Sequence, residues 1–521
     1  MAGLRDGVSV GDVIVAALRR FPDRVALRQD GVDMTYRQAE DALARWVAVL
    51  MQRGFRHGDG VGLLSPNRPE AWLVPTAAAL AGGRYTALHP LGSLEDHLYA
   101  CDEAELRFVF VDPAFEERAV QLQERAATVE AVFSFGASEA GEDFNRLAAD
   151  VALNGRLEPG DRSPDDLAYV LYTGGTTGVP KAVMQNDTAV VAHYYGTAQG
   201  WDLPETMRYL AVAPISHAAG MLIVPALLSG GTVILQRRFE PAAWLQAVAA
   251  ERANLSLLVP TMIYALLDHP DLDRTDLSSL ETVMYGASPI SPTRLAEGIE
   301  RIGPVFCQLY GMTESAGQGT SLWRGQHDVS DPHRLTSCGQ PMPFTRVAVL
   351  GEDGRPAADG EPGELCMQGP TVMQGYWKQP DLTGQALKDG WLHTGDIGVR
   401  DEAGFFYIVD RKKDMIVSGG FNVFPREIED VLAAHPAVSA CAVIGVPDEK
   451  WGEAVKALVV LRPGAAAESE DLIALVREHK GPVYAPKSVD FIEALPMTPV
   501  GKADKKVLRA RYWEGRERQV G

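Results

Sequence analysis

The sequence predicts an α/β fold with a large N-terminal domain of stacked α/β sheets, a small β-barrel-like subdomain and a small α+β C-terminal domain. Short apolar segments alternate with longer helical patterns along most of the 521 residues. This alternation is typical of parallel sheets covered by helices. A turn-rich stretch late in the chain predicts antiparallel hairpins. Five consecutive charged residues at 410–414 predict an exposed hinge before the last hundred residues.

The predicted elements of the N-terminal domain follow from apolar runs and helical periodicity. The apolar stretch 13–18 is expected to lie in a helix that enters the core. We predict strands at 60–64, 108–111, 167–172 and 232–235, and helices at 36–53, 242–252 and 292–301. The N-terminal domain is accordingly placed at 1–410.

The antiparallel subdomain is placed at about 340–410, because glycine-rich turns at 351–363 lie between predicted strands at 346–350 and 364–368. The C-terminal domain is placed at 411–521. Its predicted elements are a helix at 427–434, strands at 440–445 and 454–461, and a helix at 469–479.

Composition narrows the classes of function. The formal net charge is −20, from 49 basic and 69 acidic residues, which argues against a nucleic-acid-binding surface and a polybasic membrane patch. No apolar run reaches the length of a membrane span, and the first residues lack a secretory pattern. The five cysteines are far apart in sequence, which predicts no disulfide framework or zinc site and favours the cytoplasm.

The segment 171–181 combines the features of a phosphate-binding loop. Its glycines let the backbone approach an anion, its threonines add hydroxyl donors and its lysine adds charge. These residues are Thr173, Gly174, Gly175, Thr176, Thr177, Gly178 and Lys181. The loop is not that of P-loop ATPases, because Pro180 precedes the lysine and Ala182 follows it. Taken alone, it is equally consistent with a surface turn.

This loop resembles the signature of the adenylate-forming superfamily, which includes acyl-CoA synthetases, luciferases and nonribosomal peptide adenylation domains. The family's other motifs follow in order at 213–220 (APISHAAG), 285–289 (YGASP), 308–315 (QLYGMTES), 390–396 (GWLHTGD), 410–414 (DRKKD) and 496–502 (PMTPVGK). The resemblance implies an enzyme that uses ATP and Mg²⁺ to convert a carboxylic acid into its acyl-adenylate. It also implies transfer of the acyl group to a thiol, most simply that of coenzyme A.

The resemblance assigns the nucleotide site residue by residue. Tyr310 would offer a face to adenine, Thr313 would contact the α-phosphate, and Glu314 would bind Mg²⁺. Asp396 would accept both ribose hydroxyls, and Arg411 would lie at the ribose as well. The remaining residues assigned to the nucleotide are Gly286, Ala287, Ser288, Leu309, Gly311 and Met312. Outside this motif context, a core tyrosine and solvated charges are the plainer interpretations.

The resemblance also assigns the catalytic steps. Lys502 would stabilise the charge that builds when the carboxylate attacks the α-phosphate. His217 would be the aromatic gate between the acyl pocket and the thiol tunnel. Lys413 matches the family's hinge, which makes the C-terminal domain mobile, and Gly419 and Gly420 would line the pantetheine path after rotation.

Three departures from the family pattern leave alternatives open. Gly174 stands where serine is common, Ala182 where glycine is common, and no basic residue lies near Val417. An enzyme that runs mainly one half-reaction and a non-catalytic adenylate-binding protein are therefore alternatives. An enzyme that loads a carrier protein is another.

The residues after His217 indicate the class of acid. No aspartate follows to pair with an amino group, and no carrier domain is attached, which favours a free-standing CoA ligase for an apolar acid. The small residues Ala219, Gly220, Gly286 and Ala287 suggest room for a bulky chain or ring. The expected partners are the small acid, ATP and CoA, with neither nucleic acid nor a membrane span, and a homodimer is left open.

Overall fold

Two large sheets with helices packed on them form the N-terminal part of the chain. The computed structural model describes residues 7–153, 155–173, 181–411, 414–418, 421–448, 451–498 and 503–513. The helices of the N-terminal part are α1 (Val10–Arg20), α2 (Tyr36–Gln52), α3 (Pro69–Leu80), α4 (Leu94–Glu103), α5 (Glu116–Arg125), α6 (Phe144–Ala149), α7 (Asp187–Gly200), α8 (Ile223–Leu228), α9 (Pro241–Glu251), α10 (Pro260–Leu267), α11 (Pro292–Ile302) and α12 (Pro380–Ala386).

The strands of this part are β1 (Val25–Gln29), β2 (Val32–Thr35), β3 (Gly60–Leu64), β4 (Arg84–Ala87), β5 (Leu106–Val111), β6 (Ala131–Ser134), β7 (Glu142–Asp143), β8 (Leu167–Thr173), β9 (Lys181–Asn186), β10 (Arg208–Ala211), β11 (Thr232–Leu235), β12 (Leu255–Leu258), β13 (Thr282–Gly286), β14 (Phe306–Tyr310), β15 (Thr320–Leu322), β16 (Ser337–Pro341), β17 (Arg346–Leu350), β18 (Gly363–Gln368), β19 (Gly375–Tyr376), β20 (Leu387–Lys388), β21 (Trp391–Arg400) and β22 (Phe406–Arg411).

Both sheets have parallel centres. The first ends in antiparallel pairs on both sides, whereas the second is antiparallel only at its β19 end. The first runs in the order β17-β18-β21-β22-β16-β15-β14-β13-β12-β10-β11-β1-β2 and the second in the order β19-β9-β8-β4-β3-β5-β6-β7. Strands β10 to β14 pair in parallel, whereas β16 to β18, β21 and β22 pair antiparallel. The predicted α/β class and the late antiparallel subdomain are therefore confirmed.

Helices α1, α2 and α3 form much of the core between the sheets. Helix α2 begins with a capping box, in which the Thr35 side chain accepts from the Gln38 backbone N–H and the Gln38 side chain accepts in return. Its apolar face buries Trp46, whose indole stacks 6.1 Å from the Phe110 ring of β5. Strand β3 is buried along its whole length, as expected for a central parallel strand. In the described part of the chain, no helix is both long and apolar enough to cross a bilayer.

The C-terminal part forms a small α+β unit on a third sheet with the order β24-β23-β26-β25, in which β27 also pairs with β26. Its elements are β23 (Ile416–Ser418), β24 (Phe421–Val423), α13 (Pro425–Ala433), β25 (Val438–Asp448), β26 (Gly452–Leu461), α14 (Ser469–Lys480), β27 (Ser488–Phe491) and α15 (Lys505–Ala510). The predicted helices at 427–434 and 469–479 are confirmed within two residues.

The charged run at 410–414 is predicted to be exposed, but the structure buries its first residue, Asp410. Strand β22 continues to Arg411, and Asp410 is only 5% exposed. Its carboxylate accepts the backbone N–H of Arg426 at 3.0 Å, in the first turn of α13, where a helix leaves backbone donors unsatisfied. Asp410 is therefore a buried link between the two parts of the chain, because that helix end favours a negative charge.

Candidate active site

The carboxyl ends of β13 and β14 form the first wall of the candidate site. Gly286 pairs with Leu309 in this parallel register. A Cβ atom on Gly286 would lie 2.3 Å from the Leu309 carbonyl oxygen, so only glycine allows this approach. Ala287 follows with a φ of +63°, which turns the chain sharply. Ser288 is half-buried after this turn, and the predicted YGASP and QLYG motifs thus lie side by side.

Tyr310 and Asp396 form a buried hydrogen-bonded pair. The Tyr310 hydroxyl donates to Oδ2 of Asp396 at 2.7 Å. Burial and the Asp396 charge hold the pKa of Tyr310 well above its ordinary value. Asp396 is also the cross-strand partner of Arg411, so the structure brings together the residues that were assigned to the adenosine. A carboxylate has about four acceptor positions, which leaves capacity for hydroxyl groups of a ligand.

Gly311 and Met312 lead from Tyr310 into a short 3₁₀ helix at Thr313–Ser315. A Cβ atom on Gly311 would lie 2.3 Å from the Gly317 carbonyl oxygen, so the chain folds tightly back on itself here. The Thr313 carbonyl accepts from the Gln185 side-chain amide at 2.8 Å. This bond joins the turn to β9, the strand that follows the predicted phosphate loop.

Glu314 is only 6% exposed and accepts the Tyr376 hydroxyl on Oε1 at 2.9 Å. Among the described residues, no cluster of three or more histidine, cysteine, aspartate or glutamate side chains could hold a metal ion. A single buried carboxylate suits Mg²⁺, which keeps water and phosphate oxygens as its other ligands. The residues present therefore fit an Mg²⁺ ion that arrives with a nucleotide.

The hairpin of β8 and β9 carries the predicted phosphate loop. Thr173 and Lys181 are cross-strand partners at its base, and the Thr173 hydroxyl lies 3.4 Å from the Lys181 carbonyl oxygen. The Lys181 ammonium lies 5.1 Å from the ring centroid of Tyr376. Tyr376 therefore contacts both Lys181 and Glu314, and the loop base lies near the predicted metal ligand.

His217 directly precedes a 3₁₀ helix at Ala218–Leu222. Its Nδ1 lies 2.9 Å from the Ser216 hydroxyl, and its ring packs edge to face with His89 at 5.0 Å. Burial, with a smaller contribution from His89, lowers the pKa of His217 to about 4. The imidazole is therefore neutral near pH 7, as suits a residue that packs against an apolar chain.

The small residues beside His217 serve close packing of the backbone. Ala219 is fully buried, and a Cβ atom on Gly220 would lie 2.0 Å from the Ile215 carbonyl oxygen. Gly286 has the same restriction. The sizes of these residues are thus explained without a wide acyl pocket, which removes part of the reason to expect a bulky chain or ring.

Several predicted residues lie outside the described part of the chain: Gly174, Gly175, Thr176, Thr177, Gly178, Lys413, Gly419, Gly420 and Lys502. The residues on either side of Lys502 are described. Met497 and Ala503 form an antiparallel bridge, and the Asp504 backbone N–H donates to the Pro496 carbonyl at 2.7 Å. The described residues on either side of the predicted lysine are therefore held close together.

Helix α15, which follows Lys502 in sequence, is held in place by ion pairs within the C-terminal part. The Lys505 ammonium lies 2.8 Å from the Glu429 carboxylate, and the Arg509 guanidinium lies 2.5 Å from Asp414. Helix α15 is therefore joined to α13 and to Asp414, the residue that follows the predicted hinge.

Two residues at the site, Tyr376 and His89, are not predicted from the sequence. Tyr376 touches Glu314 and Lys181, and His89 packs on His217. No local pattern marks either residue, since each meets its partner only through sheet pairing or loop packing.

Sequence matches to known proteins cover nearly the whole chain. The family described as AMP-binding enzyme matches residues 14–377, and the one described as AMP-binding enzyme C-terminal domain matches residues 427–502. The chain is 44% identical over 533 residues to the medium/long-chain-fatty-acid–CoA ligase FadD8 of Mycobacterium tuberculosis, covering 99% of this chain and 92% of that protein.

Two further proteins are similar over comparable lengths. A feruloyl-CoA synthase of an Amycolatopsis species is 38% identical over 515 residues, covering 96% of this chain and 99% of that protein. The solved structure of the amide bond synthetase McbA from Marinactinospora thermotolerans has a TM-score of 0.88 and 35% identity, covering 96% of this chain and 100% of that chain.

Proposed function

The chain belongs to the family of AMP-binding enzymes, and we propose that the site built around Tyr310, Asp396 and Glu314 is where it joins a carboxylic acid to ATP. Its activity is that of an AMP-forming acid–CoA ligase, with ATP, Mg²⁺ and CoA as the reaction requires. The observation that carries the assignment of the site is the buried Tyr310–Asp396 pair at 2.7 Å. Its tyrosine lies three and four residues along the chain from Thr313 and Glu314.

In the first half-reaction, a carboxylate oxygen attacks the α-phosphorus of ATP and pyrophosphate leaves. Asp396 and Arg411 hold the ribose, and Tyr310 and the 286–288 turn hold the adenine. Thr313 contacts the α-phosphate, and Thr173, Lys181 and the loop 174–178 hold the other phosphates. Glu314 would hold Mg²⁺, which would supply positive charge to the phosphates. Lys502 stabilises the charge that develops at the α-phosphate.

In the second half-reaction, the sulfur of CoA attacks the acyl carbonyl carbon, the bond between that carbon and the phosphate oxygen of AMP breaks, AMP leaves and the thiol proton passes to solvent. Rotation of the C-terminal part about Lys413 would withdraw Lys502 and bring Gly419 and Gly420 to the pantetheine chain. The bond between Asp410 and Arg426 links the two parts directly before the predicted pivot, so this rotation would have to break it.

The acid that we propose is a medium- or long-chain fatty acid, the class named for FadD8 at 44% identity. A substituted cinnamic acid is the competitor, since the feruloyl-CoA synthase is 38% identical. The absence of a charged residue in the stretch after His217 supports an apolar chain in either case. Cytoplasmic location and a homodimer stay predictions.

The test is ATP–pyrophosphate exchange over a panel of fatty and aromatic acids, followed by product analysis with CoA, a carrier protein or an amine as the acceptor. We expect exchange with the apolar acids and product formation with CoA. Exchange without transfer to CoA would favour the one-step or carrier-loading alternatives. Failure to bind or exchange with ATP would favour the non-catalytic alternative.

Lys502→Ala tests the assignment of the catalytic lysine. We expect it to abolish exchange while leaving thiol transfer from supplied acyl-adenylate, because only the first step joins two anions. Lys506→Ala is the matched control, since Lys506 is an exposed lysine four residues away. Exchange that survives in Lys502→Ala, or is lost equally in the control, would contradict the assignment.

A further inference from the structure

Tyr376 occupies a fixed position next to the phosphate side of the site. It ends the short strand β19, where it pairs with Val183 of β9. The next residue, Trp377, donates its backbone N–H to the Ala182 carbonyl at 2.8 Å. Strand β9 begins at Lys181, so the backbone of Tyr376 is held against the strand that leaves the predicted phosphate loop.

The side chain of Tyr376 connects two charged groups of opposite sign. Its ring lies 5.1 Å from the Lys181 ammonium, within the range of a cation–π contact. Its hydroxyl donates to Oε1 of Glu314 at 2.9 Å. Both Tyr376 and Glu314 are 6% exposed, so little water competes with this hydrogen bond.

We propose that Tyr376 is a positioning residue that sets the orientation of the Glu314 carboxylate relative to Lys181, and thereby the affinity of the site for Mg²⁺ with ATP. The inference rests on the proposed function. A carboxylate on a flexible side chain has several orientations, and a hydrogen bond to one oxygen selects among them. Partners that orient metal ligands in this way change metal affinity about 10- to 100-fold when they are removed.

The substitution Tyr376→Phe removes the hydroxyl and keeps the ring over Lys181. We expect ATP binding in EDTA, measured by calorimetry, to stay within about twofold of the wild type, because the cation–π contact remains. The free Mg²⁺ concentration that gives half of the Mg²⁺-dependent gain in ATP affinity should rise at least about tenfold. Tyr376→Leu removes the ring as well and should weaken ATP binding in EDTA too.

A matched control is Tyr407→Phe. The Tyr407 hydroxyl donates to the Asp401 carboxylate at 3.0 Å, and Tyr407 is 5% exposed, so the control removes the same kind of bond away from the site. We expect its Mg²⁺ dependence to match the wild type, with thermal melting of the ligand-free proteins reporting any loss of fold.

The outcomes separate the inference from the proposed function. An unchanged Mg²⁺ requirement in Tyr376→Phe, or an equal rise in Tyr407→Phe, would overturn the inference alone. So would a loss of ATP affinity in Tyr376→Phe that is the same with Mg²⁺ and with EDTA, since this would indicate a structural role. A wild-type protein that binds no ATP under either condition would overturn the proposed function and the inference together.

Discussion

Replacing Asp396 with asparagine tests the centre of the proposed nucleotide site. The change keeps the size of the side chain and removes its charge. In the wild type, the Tyr310 hydroxyl donates to Oδ2 of Asp396 at 2.7 Å. In the variant it can donate to the amide oxygen of the asparagine instead. The variant should therefore keep its fold, while the hydrogen bonds that a ribose makes to this group lose a charged acceptor.

The size of the effect follows from the number of bonds. A hydrogen bond to a charged group contributes about 1.5–3 kcal/mol and a neutral one about 0.5–1.5 kcal/mol. Two ribose hydroxyls would each lose about 1–1.5 kcal/mol by this difference. The sum of about 2–3 kcal/mol corresponds to an increase in the KM for ATP of roughly 30- to 150-fold.

The assay is pyrophosphate exchange at varied ATP, with the KM for the acid measured in parallel. The control is Asp401→Asn, since Asp401 accepts a tyrosine hydroxyl at 3.0 Å outside the candidate site. We expect a higher KM for ATP in Asp396→Asn, an unchanged KM for the acid, and wild-type kinetics in the control. A rise below about threefold in the KM for ATP would refute the assignment of Asp396 to the ribose, since even one lost charged bond predicts more.

Two further predictions concern stability. Burial lowers the pKa of His193 from 6.5 to about 4, so the unfolded chain takes up a proton at a higher pH than the folded protein does. The contribution of neutral His193 to the free energy of unfolding should therefore be fully present above pH 6.5 and decrease as the pH drops toward 4. His193→Gln should flatten that fall, measured by urea unfolding at about pH 7 and about pH 5. The Arg162–Asp187 ion pair has no side-chain exposure, so Asp187→Ala should lower the free energy of unfolding by about 3–5 kcal/mol. The double change Arg162→Met, Asp187→Leu should lower the free energy of unfolding by less than Asp187→Ala does. A decrease in the urea midpoint that is as large as that of Asp187→Ala, or larger, would contradict this reasoning.

Elements with a regular apolar period could be predicted closely from the sequence. Strands 60–64 and 232–235 have their predicted limits, and helix 36–53 ends one residue early at Gln52. The two strands are short continuous apolar runs and the helix has a periodic apolar face, so in each case the local pattern carries the information. Asp410 was misjudged, because its burial depends on a helix N-terminus that begins fifteen residues later.

In the candidate site, too, residues within sequence motifs could be identified from the sequence, whereas contacts between residues far apart in sequence could not. Tyr310, Glu314 and Asp396 each lie in a recognisable motif, so the sequence alone proposes a role for each of them. The structure adds that the Tyr310 hydroxyl donates to Asp396. The contact of His89 with His217 joins residues 128 positions apart along the chain. No spacing rule connects such residues, since their approach depends on how two loops pack between the sheets.

The contacts of Tyr376 show how tertiary structure keeps the Glu314 carboxylate and the Lys181 ammonium apart. Glu314 and Lys181 have opposite signs and lie on different elements, so unrestrained side chains could pair with each other instead of with a metal ion and a phosphate. The Tyr376 side chain gives each of them a separate partner, the ring for Lys181 and the hydroxyl for Glu314. An ammonium over a ring keeps donors available for an anion, and a carboxylate with one bonded oxygen keeps acceptor capacity for a cation. Under the proposed function, this arrangement would leave both charges available to MgATP, and the Tyr376→Phe experiment measures the contribution of the hydroxyl to Mg²⁺ affinity.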